Sequence, residues 1–251
     1  MTIYRRLKSC LTLLKRSQFH YCRMAMLRPP FWLSANGKVC RVEAGNEPGS
    51  GSCYAEVVVE DCYGLFKYYK GSEPRVIVDI GANVGVFSKL CSLLFPQADI
   101  YSYEPNPSAL TWLTRNAEGT RIQINSCAVG LSSGVVNLDT SCDSTIGRIT
   151  DRGGSPVDCM PASEVAEGRQ IDFLKMDCEG SEWSILQDTS LLNRTRDFCM
   201  EFHLFDDHTI EELRRLIEKA GHEVVSVSNT REGGKFGLIR STHRSKVLAS
   251  H

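Results

Sequence analysis

From residue 75 onward, the chain alternates short apolar runs with stretches in which apolar positions recur every three or four residues. Short apolar runs bounded by glycine and proline are typical of buried strands, and the periodic stretches are typical of helices packed on a sheet. The alternation predicts an α/β fold with a doubly wound, mostly parallel sheet. A predicted hairpin near the C-terminus adds an antiparallel edge strand. Strands are predicted near 75–80, 99–103, 121–126, 171–176, 197–203, 222–228 and 236–241, and helices near 84–94, 107–117, 181–189 and 208–220.

Other parts of the chain do not alternate in this way. We expect a basic N-terminal extension over residues 1–55, with a helical arm up to about residue 34, and one domain over 56–245. The section 130–157 is expected to contain a hairpin over the strand ends, where substrate selectivity usually resides. The remaining local predictions are a strand at 38–42, a turn or mobile loop at 46–52, a strand at 56–60, a helix or turn at 62–69, and hairpin strands at 135–138 and 145–150.

The turn after the strand at 75–80 is the most informative motif, and it reads D-I-G-A-N-V-G over residues 79–85. Glycines permit a sharp turn, and the start of the next helix offers unpaired N–H groups to an anion. A dinucleotide-binding turn carries three glycines around a pyrophosphate, which Asp79 would repel. A carboxylate there suits a ligand with a cationic centre, such as S-adenosylmethionine. The alternative is that Asp79 only caps the turn.

The next predicted strand ends in Glu104, which Pro105, Asn106 and Pro107 follow. An acid at this position of an α/β unit can accept hydrogen bonds from both ribose hydroxyls of an adenosine. The alternative is a glutamate that caps a helix beginning at the proline. We favour nucleoside binding because the acid follows the glycine turn at the distance expected for one strand–helix–strand unit.

Two later strands also end in ionisable side chains. Because the carboxyl ends of parallel strands meet at one edge of the sheet, these side chains are expected to face one crevice. Glu201 and His203 also share a face of their strand, since side chains alternate along it. The residues are Asp177, Glu179 and Glu182 after the strand at 171–176, and Glu201 and His203 at the end of the strand at 197–203.

The segments VIVDIGANVG, YEPNP, LKMDCEGSEWSIL and MEFH together resemble the FkbM-type family of S-adenosylmethionine-dependent methyltransferases, over roughly residues 57–204. The resemblance implies a class I methyltransferase fold with a Rossmann-like sheet, S-adenosylmethionine as cofactor, and methylation of hydroxyl groups on polyketides, sugars or glycolipids. It also implies where the cofactor lies. The expected contacts are Asp79, Gly81, Asn83 and Gly85 at the methionine end, Glu104 at the ribose, Pro105, Asn106 and Ala128 near the adenine, and Asp177 beside the methyl group.

Methyl transfer to a hydroxyl needs alignment of the reacting atoms and a base for the departing proton. We expect the base among His203, Glu201 and Asp177, and imidazole is the side chain that titrates nearest neutral pH. Glu179, Glu201 and His203 are expected to contact the acceptor. Glu179 and Glu182 can instead cap the helix that follows them.

Other functions stay open at this point. An amine acceptor would give an N-methyltransferase, and the same fold could serve as a non-catalytic cofactor-binding scaffold. The residues Glu201, His203, Asp206, Asp207 and His208 lie close in sequence but lack the spacing of a known metal site, so no metal ligand is expected. A formal net charge of −1 gives no general case for nucleic-acid binding.

Cysteine usage and local charge bear on where the chain works. The eleven cysteines include no C-x-x-C pair, as expected for reduced thiols in a cytoplasmic protein. Residues 1–42 contain nine basic residues and no acid, with apolar positions at helical spacing. This arm can cover the acidic crevice as a lid, lie on an anionic membrane surface, or act in targeting or stay disordered. No feature of the sequence points to an oligomeric state.

Overall fold

The structure, a computed structural model, describes residues 28–46, 48–68, 73–143, 146–150, 153–204, 207–231 and 235–247. Most of the predicted helical arm therefore lies outside the described residues. The strands are β1 (Phe31–Ala35), β2 (Lys38–Val42), β3 (Val76–Ile80), β4 (Asp99–Tyr103), β5 (Ile122–Asn125), β6 (Ala128–Gly130), β7 (Gly134–Asp143), β8 (Ile146–Thr150), β9 (Ser155–Pro161), β10 (Ile171–Met176), β11 (Thr195–His203), β12 (His222–Arg231) and β13 (Phe236–His243). The helices are α1 (Pro48–Tyr54), α2 (Leu65–Tyr68), α3 (Val86–Leu94), α4 (Pro107–Ala117), α5 (Glu182–Gln187), α6 (Ser190–Asn193), α7 (Ile210–Lys219) and α8 (Arg244–Val247).

The main sheet has seven strands in the order β5-β4-β3-β10-β11-β13-β12. β5, β4, β3, β10 and β11 are parallel, whereas β13 is antiparallel to both of its neighbours. The expected antiparallel strand is thus β13, one position in from the edge that β12 forms. Strand order reverses between β3 and β10, so the ligand crevice of such a sheet lies beyond the carboxyl ends of these two strands.

Both faces of the main sheet are covered, which explains why its central strands are apolar throughout. All five residues of β3 are buried. Val78 and Ile80 pack in the core on one face, while Ile77 packs in the core on the other. This division follows from the alternation of side chains along a strand, and it confirms the doubly wound arrangement.

The start of the described chain differs from the prediction of a helix up to residue 34. Residues 31–35 form β1, which pairs antiparallel with β2. Phe31 and Leu33 are buried in the same core as Phe87, while Trp32 is exposed. This period of two favours a strand. The described part of the extension therefore shares a core with the main sheet, and the boundary between residues 55 and 56 stays a prediction.

Two local predictions between β2 and α2 are wrong. The expected loop at 46–52 is largely helix α1, which begins at Pro48. Proline is tolerated at the first position of a helix because an N–H there would have no partner within the helix. The expected strand at 56–60 is a π-helical turn, Ala55–Val59, that continues from α1. Ala55 and Val57 are buried by this turn, so tertiary packing outweighs the β propensity of the valines.

A second sheet of four strands, in the order β6-β9-β7-β8, occupies the section 130–157 and its borders. The predicted hairpin is confirmed as the antiparallel pair of β7 and β8, while residues 144 and 145 between these strands lie outside the described part of the chain. None of the helices in the described ranges combines the length and the apolar composition that a membrane span requires.

Candidate active site

The turn between β3 and α3 is shaped by close contacts with its neighbours. Gly81 and Gly85 both have positive φ, +75° and +85°. A Cβ on Gly81 would lie 1.8 Å from the Asp177 carbonyl oxygen, and a Cβ on Gly85 would lie 2.5 Å from Leu113 Cδ1. The glycines therefore let the turn pack directly against the end of β10 and against helix α4.

Glu104 lies beside this turn, at the end of β4. Its Oε2 accepts a hydrogen bond from the Asn83 N–H at 2.7 Å, and its Oε1 accepts one from the Asn106 N–H at 2.8 Å. Burial raises the pKa of Glu104 to about 7, against the opposing effect of these two N–H groups. A carboxylate offers about four acceptor positions, so Glu104 keeps capacity for two further donors.

The other residues predicted near the adenine have structural places of their own. Asn106 caps α4, because its Oδ1 accepts from the Ser108 N–H at 3.0 Å. Pro105 lies between Glu104 and this cap. Ala128 is buried at the start of β6, in the second sheet. Direct contact of these residues with a cofactor stays a prediction.

Asp79 lies beneath the turn and is completely buried. Its Oδ2 accepts a hydrogen bond from Ser88 Oγ at 2.6 Å, and Ser88 also bonds Ser102 at 2.7 Å. Its Oδ1 lies 3.1 Å from Lys175 Nζ. Oδ2 thus has a hydrogen-bond partner and Oδ1 an ion-pair partner, and Asp79 supports the turn from inside the sheet.

Lys175 and Tyr63 belong to this region, although neither is predicted from the sequence as a site residue. Lys175 pairs with Asp79 in the register of β10 and β3, and its Nζ donates to the Gly81 carbonyl at 2.6 Å. Tyr63 donates its hydroxyl to Asp177 Oδ2 at 2.9 Å. Lys175 could have been recognised from the sequence, because a lysine within the otherwise apolar centre of a strand is unusual. Nothing in the sequence singles out Tyr63.

His203 is held between two glutamates. Its Nδ1 lies 3.2 Å from Glu182 Oε1, and its Nε2 lies 3.3 Å from Glu179 Oε2. Although burial lowers it, these acids and Asp177 raise the pKa of His203 to about 9. Both ring nitrogens face acceptors, so the imidazolium form is favoured at neutral pH. This arrangement works against the expectation, drawn from the free side chain, that His203 is the base.

Glu201 and Glu179 also have raised pKa values, and for a carboxyl group this favours the neutral form. Burial, followed by the charges of Asp177 and Glu56, raises the pKa of Glu201 to about 8. Burial and Asp177 likewise raise the pKa of Glu179 to about 7. His203 counteracts both shifts because its positive charge favours the ionised carboxylates. Two carboxyl groups that titrate near neutral pH therefore lie at the ends of β10 and β11.

Glu182 acts inside the structure rather than at its surface. It is fully buried at the first position of α5, and its Oε1 also accepts from the Cys178 N–H at 3.2 Å. Trp183 adds a further support, since its Nε1 donates to the His203 carbonyl at 2.8 Å. The structure thus brings Asp177, Glu179, Glu201 and His203 close enough to interact electrostatically, and Asp177 also lies beside Gly81. Among the described residues, no group of three or more His, Cys, Asp or Glu side chains is arranged to hold a metal ion.

The sheet order, the glycine turn at its switch point and the acid at the end of β4 define a class I methyltransferase fold. Magnesium protoporphyrin IX methyltransferase from Synechocystis PCC 6803, solved with bound S-adenosylmethionine, has this fold, with a TM-score of 0.52 and 9% identity over 94% of this chain and 96% of that one. The family model described as the methyltransferase FkbM domain matches residues 79–224. The chain therefore belongs to the FkbM methyltransferase family.

Two curated relatives show how far the likeness extends. The chain is 26% identical over 143 residues to the hexuronic acid methyltransferase AglP of Haloferax volcanii, and this match covers 53% of this chain and 58% of that protein. It is 31% identical over 98 residues to the 31-O-demethyl-FK506 methyltransferase FkbM of Streptomyces tacrolimicus, and this match covers 37% of this chain and 36% of that protein. The matches thus span little more than half of the first relative and about a third of the second.

Proposed function

We propose that this protein is an S-adenosylmethionine-dependent methyltransferase that methylates a hydroxyl group on a sugar, a glycolipid or a secondary metabolite. The observation that carries the proposal is the cluster of Asp177, Glu179 and Glu201 at the ends of β10 and β11, in which Asp177 adjoins the glycine turn, with Glu104 on the other side of that turn. Such a site can hold a cationic nucleoside and supply a base next to it. A passive scaffold needs the first property only.

The donor set fits this cofactor. Glu104 retains acceptor positions for the two ribose hydroxyls. Asp177, about a quarter of whose side chain is exposed beside Gly81, suits the ammonium group of the methionine part. The backbone N–H groups at the start of α3 suit its carboxylate. When bound there, S-adenosylmethionine supplies an electrophilic methyl group.

The acceptor hydroxyl must lose its proton as its oxygen attacks the methyl group, and we assign Glu201 as the base. A base works best when its pKa is near the working pH, and a positioned base contributes about 10²–10⁴-fold to the rate. His203, held as an imidazolium by Glu179 and Glu182, keeps the pKa of Glu201 within reach of neutral pH. We assign Asp177 to the cofactor side of Glu201 and Glu179 to its acceptor side.

The acceptor class follows from the relatives and from the base. The names of the two relatives describe methyl transfer to a hexuronic acid and to a demethylated FK506, which supports a glycan or small-molecule acceptor. A carboxylate base tuned near neutral pH favours a hydroxyl over an amine. The free thiols of all eight cysteines whose side chains are described support a cytoplasmic location, and the basic residues of 1–42 support peripheral contact with an anionic membrane.

Calorimetric titration with S-adenosylmethionine tests the cofactor assignment. We expect saturable binding to the wild-type protein and weaker binding to Glu104→Ala. Absence of binding to the folded wild type would overturn the proposal.

Transfer of a labelled methyl group to a panel of sugars, uronic acids, glycolipids and amines tests the reaction. With an accepted substrate, Glu201→Gln should bind cofactor normally and lose about 10²–10⁴-fold in turnover. Glu211→Gln, at an exposed position of α7, is the matched control. Full turnover in both Glu201→Gln and His203→Ala would refute the assignment of these two residues.

A further inference from the structure

Lys175 occupies a position that is costly for a lysine. It lies in β10, the strand next to the switch point, and only 5% of its side chain is exposed. A buried ammonium is tolerated only where charges and acceptors replace its water. The reason for its presence should therefore be found in the groups that surround it.

Those groups all belong to the cofactor side of the proposed site. Lys175 Nζ lies 3.1 Å from Asp79 Oδ1, 2.6 Å from the Gly81 carbonyl oxygen and 3.9 Å from Asp177 Oδ2. The same ammonium lies 5.5 Å from the centre of the Tyr63 ring. Burial alone would lower the pKa of Lys175, but Asp79 and Asp177 raise it, so the positive charge is retained.

We propose that Lys175 is the positioning residue for the amino-acid end of the cofactor. With Asp79 behind it, Lys175 fixes the Gly81 carbonyl, and together with Tyr63 it fixes Asp177 Oδ2. In the part of the chain that the structure describes, Asp177 Oδ1 has no hydrogen-bond donor, so it is the oxygen left to receive the ammonium group of the ligand. Asp79 then acts on the cofactor through Lys175.

This inference rests on the proposed function and makes a separate claim. If the Lys175–Asp79 pair served stability alone, removing both charges together would restore folding and ligand binding in parallel. Replacing a buried ion pair as a unit is often neutral for stability, whereas removing one partner leaves an uncompensated buried charge. Binding and stability can therefore be separated by a double variant.

The experiment compares Lys175→Met, Asp79→Asn and the double variant with the wild type, with Lys219→Met at an exposed position as the lysine control. Stability is measured by urea unfolding. Affinity is measured for S-adenosylhomocysteine, which carries the amino-acid part, and for 5′-methylthioadenosine, which lacks it. We expect both single variants to lose stability and the double variant to regain most of it.

The double variant should still bind S-adenosylhomocysteine about ten-fold more weakly than the wild type, the size of one charge-assisted hydrogen bond. Its affinity for 5′-methylthioadenosine should stay close to the wild-type value. Wild-type affinity of the double variant for both ligands would overturn the inference. Failure of the wild type to bind either ligand would instead overturn the proposed function.

Tyr63→Phe keeps the inference testable if the charge variants do not fold. This change keeps the ring beside Lys175 and removes only the hydroxyl that holds Asp177. It should weaken binding of S-adenosylhomocysteine and leave 5′-methylthioadenosine unaffected. Unchanged binding of both ligands by Tyr63→Phe would remove Asp177 from the proposed arrangement.

Discussion

Replacement of Gly81 by alanine should destabilise the protein more than the same change at another glycine with a similar backbone. The added Cβ would lie 1.8 Å from the Asp177 carbonyl oxygen, so the two atoms would have to separate by about 1 Å or more to reach even a tight contact. Gly81 and Asp177 directly follow β3 and β10, two paired central strands. No flexible side chain can move aside to relieve it.

The magnitude follows from two contributions. Alanine in the left-handed region costs about 1–2 kcal/mol. Separation of the two strand ends also weakens the bond from the Asp177 N–H to the Ile80 carbonyl, 3.0 Å long, and the bond from Lys175 to the Gly81 carbonyl, each worth about 0.5–1.5 kcal/mol. We therefore expect a loss of about 2–5 kcal/mol in the free energy of unfolding.

Gly119→Ala supplies the control for backbone conformation. Gly119 has φ +68°, and a Cβ there would meet no atom within 4 Å, so this variant should lose only about 1–2 kcal/mol. Equilibrium unfolding in urea, followed by tryptophan fluorescence, gives both values. If Gly81→Ala were no less stable than Gly119→Ala, the close packing of this turn against Asp177 would be refuted.

Three further predictions concern the same region. Gly85→Ala should fall between the two variants above, with a loss of about 2–4 kcal/mol in urea unfolding, because the contacted Leu113 Cδ1 belongs to a side chain that can repack; a loss no larger than that of the control would contradict this contact. The pKa of His203 is raised to about 9, so its contribution to stability is complete below the ordinary value of 6.5 and is lost as pH rises through 9. The stability difference between wild type and His203→Asn should therefore shrink over that range. A constant difference would argue against the pairing with the glutamates. Because the pKa of Glu104 is raised to about 7, calorimetry should find that S-adenosylmethionine binds more weakly below pH 7, and Glu104→Gln should remove that part of the pH dependence; an unchanged pH profile would count against ribose recognition by Glu104.

The arrangement of the main sheet could be predicted from the chain because its strands are short, apolar and followed by glycine or by acids. β3, β4 and β10 lie where the pattern placed them, to within a residue. Their shared edge then follows from the rule that parallel strands of such units end on one side. The stretch from 46 to 60 could not be predicted, since its form depends on burial of Ala55 and Val57 against a core that the local sequence does not contain.

The role of Asp79 shows what pattern alone leaves out. An acid at the end of the first strand suggests a contact with the ligand. Whether the carboxylate faces the ligand or the interior depends on the residue opposite it in β10, which is Lys175. Register between strands nearly a hundred residues apart is a tertiary property, so the sequence indicates the acid but not its partner.

The pKa values of His203 and Glu201 extend this argument to chemistry. In isolation, the imidazole is the better base near neutral pH and the carboxylate is ionised. In the site, Glu179 and Glu182 favour the charged imidazole, while burial and Asp177 favour the neutral form of Glu201. In the site, His203 is therefore the group that stays charged, and Glu201 is the group whose pKa lies nearer neutral pH. Each pKa depends on charges that folding brings near the side chain. For the same reason, His203 can influence proton transfer without receiving a proton, since its positive charge decides how far the pKa of Glu201 rises.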